Sequence, residues 1–289
     1  MATRFRKAFK NCEYFDYNKD ENKNPMLEAI AKVRSEFGKQ YPMILGNGKL
    51  QFTENENTIK SYNPSNKTEL IGIVSKGNTS HAEDALEEAT RAFETWKRVP
   101  LEKRIDVMLK ARELLIPRRH EFNAYCVLES GQTWNEADGE VAEAADFLDY
   151  YSRHAERLLR RQKVTEKADE EGFVQNIPLG VGAVIPPWNY PCAILAGLII
   201  APVVAGNTVV VKPASDTPVI GYKFVELLEQ AGLPPGVVNF VRAAEKKSEN
   251  TWLTAQRQDL LHSQAQETLD CTYIKALQSP RKGRYGSKD

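Results

Sequence analysis

An asparagine after a Pro-Pro-Trp turn, a lysine closing a valine-rich run, and four scattered cysteines are the side chains whose types and places point to chemistry. Lys212 follows Thr208-Val209-Val210-Val211 and precedes Pro213. An ammonium there would stand at the carboxyl end of a parallel strand, where doubly wound sheets bind cofactors. A solvated lysine that merely ends a strand is the competing reading. Asn189 follows Ile185-Pro186-Pro187-Trp188, and its amide is a hydrogen-bond donor that does not titrate. Capping the apolar helix that comes next is its plainer role.

The cysteines offer less. Cys12, Cys126, Cys192 and Cys271 form no CxxC pair and have no nearby histidine cluster, so no zinc site is expected and reduced thiols are. Cys192 opens an apolar stretch, where a cysteine behaves as a small hydrophobe. Cys271, in Leu269-Asp270-Cys271-Thr272, lacks the glycines and apolar neighbours that would position a thiolate. Gly180-x-Gly182 lies inside a strand and lacks the third glycine of a phosphate-binding fingerprint, so its expected role is strand packing. Gly131-Gln132-Thr133 reads as a helix-ending turn.

The elements that must hold these residues follow from periodicity. A first helix is predicted from Met26 to Phe37. Short strands at Met43–Leu45, Lys49–Phe52 and Glu69–Val74 surround the Gly46-Asn47-Gly48 turn signal. Ser80-x-x-Glu83 has capping-box spacing, and Ala85, Leu86, Ala89, Phe93 and Trp96 then share one helical face. Further helices are predicted over about 101–115, 119–128 and 136–159, broken at Pro117 and Gly131. From Val174 the texture changes. Val181–Ile185, Thr208–Val211 and Val237–Val241 are short apolar runs separated by helices, the pattern of a parallel βαβ sheet. After Arg242 it fails, because residues 243–289 contain no Val, Phe or Met. Weak helices at 252–261 and 268–277 and a disordered end are expected there, rather than a further buried strand.

Composition narrows the class. The chain has 289 residues, 39 basic against 39 acidic side chains and 42% hydrophobic residues, the balance of an ordinary globular protein. Zero formal net charge disfavours nucleic acid and anionic membranes as partners. The longest apolar stretch, Cys192 to Ala205, is interrupted by Gly197 and Pro202 and falls short of the roughly 20 residues of a membrane span. No signal-peptide core follows Met1, so a cytoplasmic location is expected.

Three segments carry a family resemblance: Pro178 to Pro191, then Gly206 to Pro218 with Lys212-Pro213-Ala214-Ser215, then Ala231 to Asn239. In this order and spacing they resemble the aldehyde dehydrogenase family, most closely its glutamate γ-semialdehyde branch. Val74-Ser75-Lys76, Ala92 to Trp96 and Trp134 to Asp138 agree. The resemblance implies an α/β fold: a helical N-terminal portion plus a partial doubly wound, Rossmann-like parallel sheet, with the catalytic domain missing. It divides the chain into a polar extension (1–24), a partial cofactor-binding domain (25–242) and a divergent, poorly ordered tail (243–289).

In that family a thiolate attacks the aldehyde and a preorganised donor stabilises the developing oxyanion. The resemblance gives Asn189 the donor role, and losing one such donor costs about 10²–10³ in rate. It puts Ile185, Pro187, Trp188, Lys212 and Ser215 at the cofactor, with Lys212 on ribose hydroxyls. Ser215 stands where many NAD-preferring relatives carry glutamate, which implies NAD with tolerance of NADP. The implied activity is NAD-dependent oxidation of glutamate γ-semialdehyde, a small-molecule aldehyde, to glutamate in proline breakdown. The Glu-x-Gly-Gly base and Gly-Gln-x-Cys nucleophile segments do not occur in the sequence. The chain alone is therefore expected to be inactive. Another aldehyde branch, or a non-catalytic subunit that keeps the fold, is the alternative. The family forms homo-oligomers in which the hairpin near Phe173–Ile177 meets a C-terminal strand of another subunit, so oligomerisation is in doubt where that strand is lacking.

Overall fold

The computed structural model describes residues 5, 7–50, 52, 57–164, 169–242 and 258–263. In chain order come α1 (Asp20–Ser35), β1 (Lys39–Tyr41), β2 (Met43–Leu45), β3 (Gly48–Leu50), β4 (Thr58–Asn63) and β5 (Asn66–Ser75). Four helices follow: α2 (Thr79–Trp96), α3 (Leu101–Leu115), α4 (Arg119–Ser130) and α5 (Trp134–Leu159). Then come β6 (Gln162–Lys163), β7 (Phe173–Val174), β8 (Val181–Ile185), α6 (Ala193–Ala205), β9 (Thr208–Val211), α7 (Pro218–Gln230), β10 (Val238–Phe240) and β11 (Gln258–Ser263).

The principal sheet has the order β11-β8-β9-β10-β2-β3. β11, β8, β9 and β10 are parallel, whereas β2 joins β10 antiparallel and β3 closes the β2 hairpin. Side-chain alternation gives the sheet two buried faces. Val184, Val209 and Val211 share a core with Leu195, Ile199, Ile220 and Phe224 of α6 and α7. Val181, Ala183 and Val210 instead meet Ala82, Ala85 and Ala89 of α2. All four residues of β9 are buried, and each fully buried valine stabilises by about 1.5–3 kcal/mol. α3, α4 and α5 lie outside α6 and α7, completing the helical layer that the N-terminal periodicity implied.

Several boundaries differ from expectation. α1 starts at Asp20 and carries Pro25 within it, with Asp20 and Glu21 in the first turn, where carboxylates favour the positive helix end. The capping box of α2 is Asn78 with His81, not Ser80 with Glu83: Asn78 Oδ1 accepts the His81 N–H, and His81 Nδ1 accepts the Asn78 N–H. The hairpin at Gly46 joins the principal sheet, while β5 sits in a separate three-stranded sheet ordered β1-β5-β4.

The largest correction lies beyond Arg242. Residues 258–263 are strand, not weak helix, and β11 pairs with β8 from Gln258↔Val181 to Ser263↔Ile185. The reason is backbone pairing: without a neighbour there, β8 would leave one row of N–H and C=O groups unpaired at a buried edge, a cost that composition does not register. Cys271, the helix expected at 268–277 and the disordered end from Ser279 to Asp289 lie outside the described residues.

Candidate functional site

Strand order locates a crevice. From β8 the chain steps through α6 to β9 and through α7 to β10, then returns to the other side of β8 as β11. This reversal beside β8 is a topological switch point, where open α/β sheets bind ligands beyond the carboxyl ends of their strands. Both singled-out turns leave from that end. β8 runs into Pro186-Pro187-Trp188-Asn189-Tyr190-Pro191, and β9 into Lys212-Pro213-Ala214-Ser215. Val184 pairs with Val211, and the Lys212 N–H donates to the Val184 carbonyl at 2.9 Å. Ile185 and Lys212 therefore leave the ladder side by side, with Lys212 buried and Ile185 and Pro187 half-buried.

Asn207 sets where this ladder begins. Its Oδ1 accepts the N–H groups of Leu179 and Gly180, and its Nδ2 donates to the Pro202 carbonyl. It follows Gly206, whose φ of +102° ends α6 in the left-handed region that favours glycine.

Trp188 and Ser215 come together on one cleft of about 390 Å³, with Ser61, Tyr62, Asp216 and Thr217 also on its wall. Tyr190 lines a different cleft, of about 510 Å³, with Tyr14, Tyr150, Glu136, Glu143 and Asp146. Asn189 stands in the chain between the residues facing these two hollows, and it is exposed. It does not cap α6. The N-cap is Cys192, whose side chain makes no cap bond, and Glu140 Oε1 of α5 accepts the N–H groups of Cys192 and Ala193 instead.

Sequence reading missed the two carboxylates under the turns. Glu140 is fully buried, and burial pushes its pKa up to about 7 against the hydrogen bonds that lower it. Glu129 of α4 is almost as deeply placed and is likewise pushed up to about 7 by burial. Its Oε1 accepts Ser61 Oγ–H and the Val219 N–H, and its Oε2 accepts the Ile220 N–H at the head of α7. Asp216, also overlooked, adds a carboxylate beside Ser215 in the smaller cleft.

The thiols among the described residues suit no nucleophile. Cys126 and Cys192 are buried, and burial raises the Cys126 thiol well above its ordinary value, with the hydrogen bond that this thiol donates to Cys192 adding to it. Cys12 is raised as well, mainly by burial and then by Asp146. Gly131-Gln132-Thr133 is the expected break: Gly131 ends α4 at a φ of +75°, and Thr133 opens α5 through a capping box with Glu136.

The smaller cleft has features that fit a ribosyl group. The Thr217 hydroxyl is buried and has no hydrogen-bond partner among the described residues, while Ser215 and Asp216 offer a hydroxyl and a carboxylate nearby. Donors and acceptors at this density match a diol better than an apolar ligand.

A model of the aldehyde dehydrogenase family matches residues 52–265, running past Arg242 and through β11. The chain is 46% identical over 233 residues to 1-pyrroline-5-carboxylate dehydrogenase of Geobacillus thermodenitrificans, covering 81% of this chain and 45% of that protein. Against the protein of the same name from Geobacillus kaustophilus it is 47% identical over 226 residues, covering 78% and 43%. A solved variant of Thermus thermophilus 1-pyrroline-5-carboxylate dehydrogenase superposes with a TM-score of 0.84 at 39% identity, covering 88% of this chain and 49% of that one. A Thermus 1-pyrroline-5-carboxylate dehydrogenase solved with bound NAD gives 0.81 at 40% identity, covering 86% and 48%. The chain thus spans about half the length of the curated relatives it matches.

Proposed function

Because this chain belongs to the aldehyde dehydrogenase family, we propose that it is the cofactor-binding part of an NAD-dependent dehydrogenase that oxidises glutamate γ-semialdehyde to glutamate. The observation carrying this reading is the pair of turns after β8 and β9, set side by side at the switch point with Trp188 and Ser215 on one cleft. Relatives of the glutamate semialdehyde branch are 44–47% identical.

In this reading Ser215 on the smaller cleft, beside Asp216 and Thr217, and Lys212 at the end of β9 hold ribose hydroxyls. Ile185, Pro187 and Trp188 line the cofactor's path past the end of β8. When bound, NAD supplies the acceptor for the hydride leaving the aldehyde carbon. The Asn189 amide donates a hydrogen bond to the substrate oxygen as negative charge grows there, and donates it unchanged across the working pH range. Its exposure leaves the amide available to a ligand.

The proposal assigns residues 1–289 cofactor binding, the role that the two turns after β8 and β9 serve. Calorimetric titration with NAD and NADP tests it. Saturable heat with NAD, weaker with NADP because Asp216 sets a negative charge in the same cleft, is the expected result. A folded chain that gives no heat with either nucleotide would overturn the reading.

A further inference from the structure

Glu140 is buried, ionisable and unused by the chemistry above, yet it is tied to the Asn189 turn twice. Its Oε1 accepts the N–H groups of Cys192 and Ala193, fixing the start of α6 from outside that helix. Its Oε2 accepts Gln132 Nε2–H, and the same Gln132 nitrogen donates to the Asn189 carbonyl at 2.9 Å. Gln132 itself is held from both sides, since Gly131 ends α4 and Thr133 caps α5.

Gln132 Oε1 is buried with no partner among the described residues. This settles which way the amide faces: exchanging its oxygen and nitrogen would press an acceptor against both the Glu140 carboxylate and the Asn189 carbonyl. An orphaned buried acceptor costs stability, and here it accompanies an amide committed to holding the turn.

We propose that Glu140 and Gln132 are positioning residues, in which the buried carboxylate orients the Gln132 amide so that its second N–H fixes the Asn189 turn. The inference rests on the role given to Asn189 above and deepens it, because a donor is preorganised only if its backbone is held. The arrangement responds to protons. A protonated Glu140 carries an O–H at the oxygen facing Gln132, and Gln132 Oε1 is the buried acceptor at hand. Rotating the amide to meet it withdraws Nε2–H from the Asn189 carbonyl and releases the turn. The titratable groups set around Glu140 are Cys126 from α4, Cys192 from the head of α6, Glu136, Glu143, Asp146 and Tyr150 on α5, and Tyr14 and Tyr190 across the larger cleft.

Fluorine NMR of the full chain labelled with 5-fluorotryptophan tests this without nucleotide. Trp188 adjoins Asn189, whereas Trp96, at the end of α2, donates from Nε1 to the Val203 carbonyl near the far end of α6. In the parent chain the Trp188 resonance, assigned with Trp188→Phe, moves between about pH 5.5 and 8.5 with a midpoint near neutrality while Trp96 stays still. Glu140→Gln keeps an acceptor for Cys192 and Ala193 but points a donor at Gln132, so Trp188 stays at its acid position at every pH. Gln132→Ala abolishes the titration at Trp188 and leaves Trp96 in place. If Glu140→Gln does not fold, Gln132→Ala decides alone, because it leaves the α6 cap intact. A Trp188 resonance that titrates in Gln132→Ala as in the parent, or Trp96 moving in step with Trp188, would overturn the proposal. A failed nucleotide titration leaves this test standing, and the converse also holds.

Discussion

Glu129 and Glu140 are structural counterparts: each is a buried glutamate of the outer helical layer that accepts two consecutive backbone N–H groups at the head of a helix following one of the motif turns. Glu140 serves α6 after the Pro-Trp-Asn turn, and Glu129 serves α7 after the Lys-Pro turn. Neither Cys192 nor Thr217, the N-cap residues, supplies a side-chain cap. The helix ends that frame the crevice are therefore held from one layer away.

That placement makes stability depend on pH. Both carboxyls are raised from 4.5 to about 7 in the fold, so the folded state binds more protons than the unfolded state between these values. Their stabilising contribution is complete below pH 4.5 and is lost as pH rises through 7, on the order of 3 kcal/mol for each group. Glu36 and Glu121 are lowered by their partners, against their own burial, so their contribution is lost on the acid side of 4.5. His120, lowered by burial, opposes the glutamates on the acid side of 6.5. Thermal unfolding should thus show a higher Tm at about pH 5 than at pH 8, and Glu129→Gln should flatten that slope. An equal slope in parent and variant would count against the assignment.

Separate substitutions at the two turns should have separable effects. Asn189→Ala should change stability by less than about 0.5 kcal/mol, because the side chain is exposed and caps nothing, and should leave NAD affinity nearly unaltered. Lys212→Met keeps the buried stem and removes the ammonium, and should weaken NAD binding by roughly 10–100-fold. Calorimetry at constant salt reads both, and undiminished affinity in Lys212→Met would remove that residue from the cofactor site.

The valine-rich strands β8 and β9 and the apolar α6 were legible because burial on both sides leaves a continuous apolar run. β4 was not, since Thr58–Asn63 mixes polar and apolar residues along a partly exposed strand. The α2 cap escaped because histidine, rather than glutamate or glutamine, closes its box. Glutamates inside amphipathic helices read as solvated, and what marks Glu140 and Glu129 as buried caps lies 52 and 90 residues away in the chain. β11 was misread because composition reports side chains, whereas its place is fixed by the ladder of β8. For Asn189 the sequence left a cap and a ligand donor open, and the geometry removes the cap.

Two carboxylates of α5 hold the N-terminal segment: Asp146 accepts the Cys12 N–H and Asn11 Nδ2–H, and Asp138 holds the stretch that follows. Asp138 Oδ2 accepts the Phe15 N–H and pairs with Arg119 at 2.7 Å, with both partners buried, and Asp138 Oδ1 accepts from Asn123. Arg119 also donates to the Glu13 carbonyl. Asp138→Ala should therefore cost about 3–5 kcal/mol, because a buried guanidinium loses its partner. Residues 7–19 should then become susceptible to limited proteolysis. Replacing the pair together, with Arg119→Met, should recover part of the loss, and a double variant no more stable than the single would argue against the ion pair as the cause.

The parallel pairing of β11 with β8 makes the last prediction the most direct check on the fold beyond Arg242. A chain ending at Arg242 would leave β8 as an edge, its outward N–H and C=O groups facing solvent or another chain. Amides of Val181–Ile185 that are not bonded to β9 should then exchange with solvent at least about 10-fold faster, an opening cheaper by roughly 1.4 kcal/mol, while those of β9 stay protected between β8 and β10. The shortened chain should also associate as concentration rises, since a flat, apolar parallel strand is a template for further pairing. Hydrogen exchange read by mass spectrometry on peptides spanning β8 and β9 separates the two strands. Equal protection of β8 in the full and shortened chains would show that residues 258–263 contribute nothing to that edge, and the switch point beside β8 would lose its second wall.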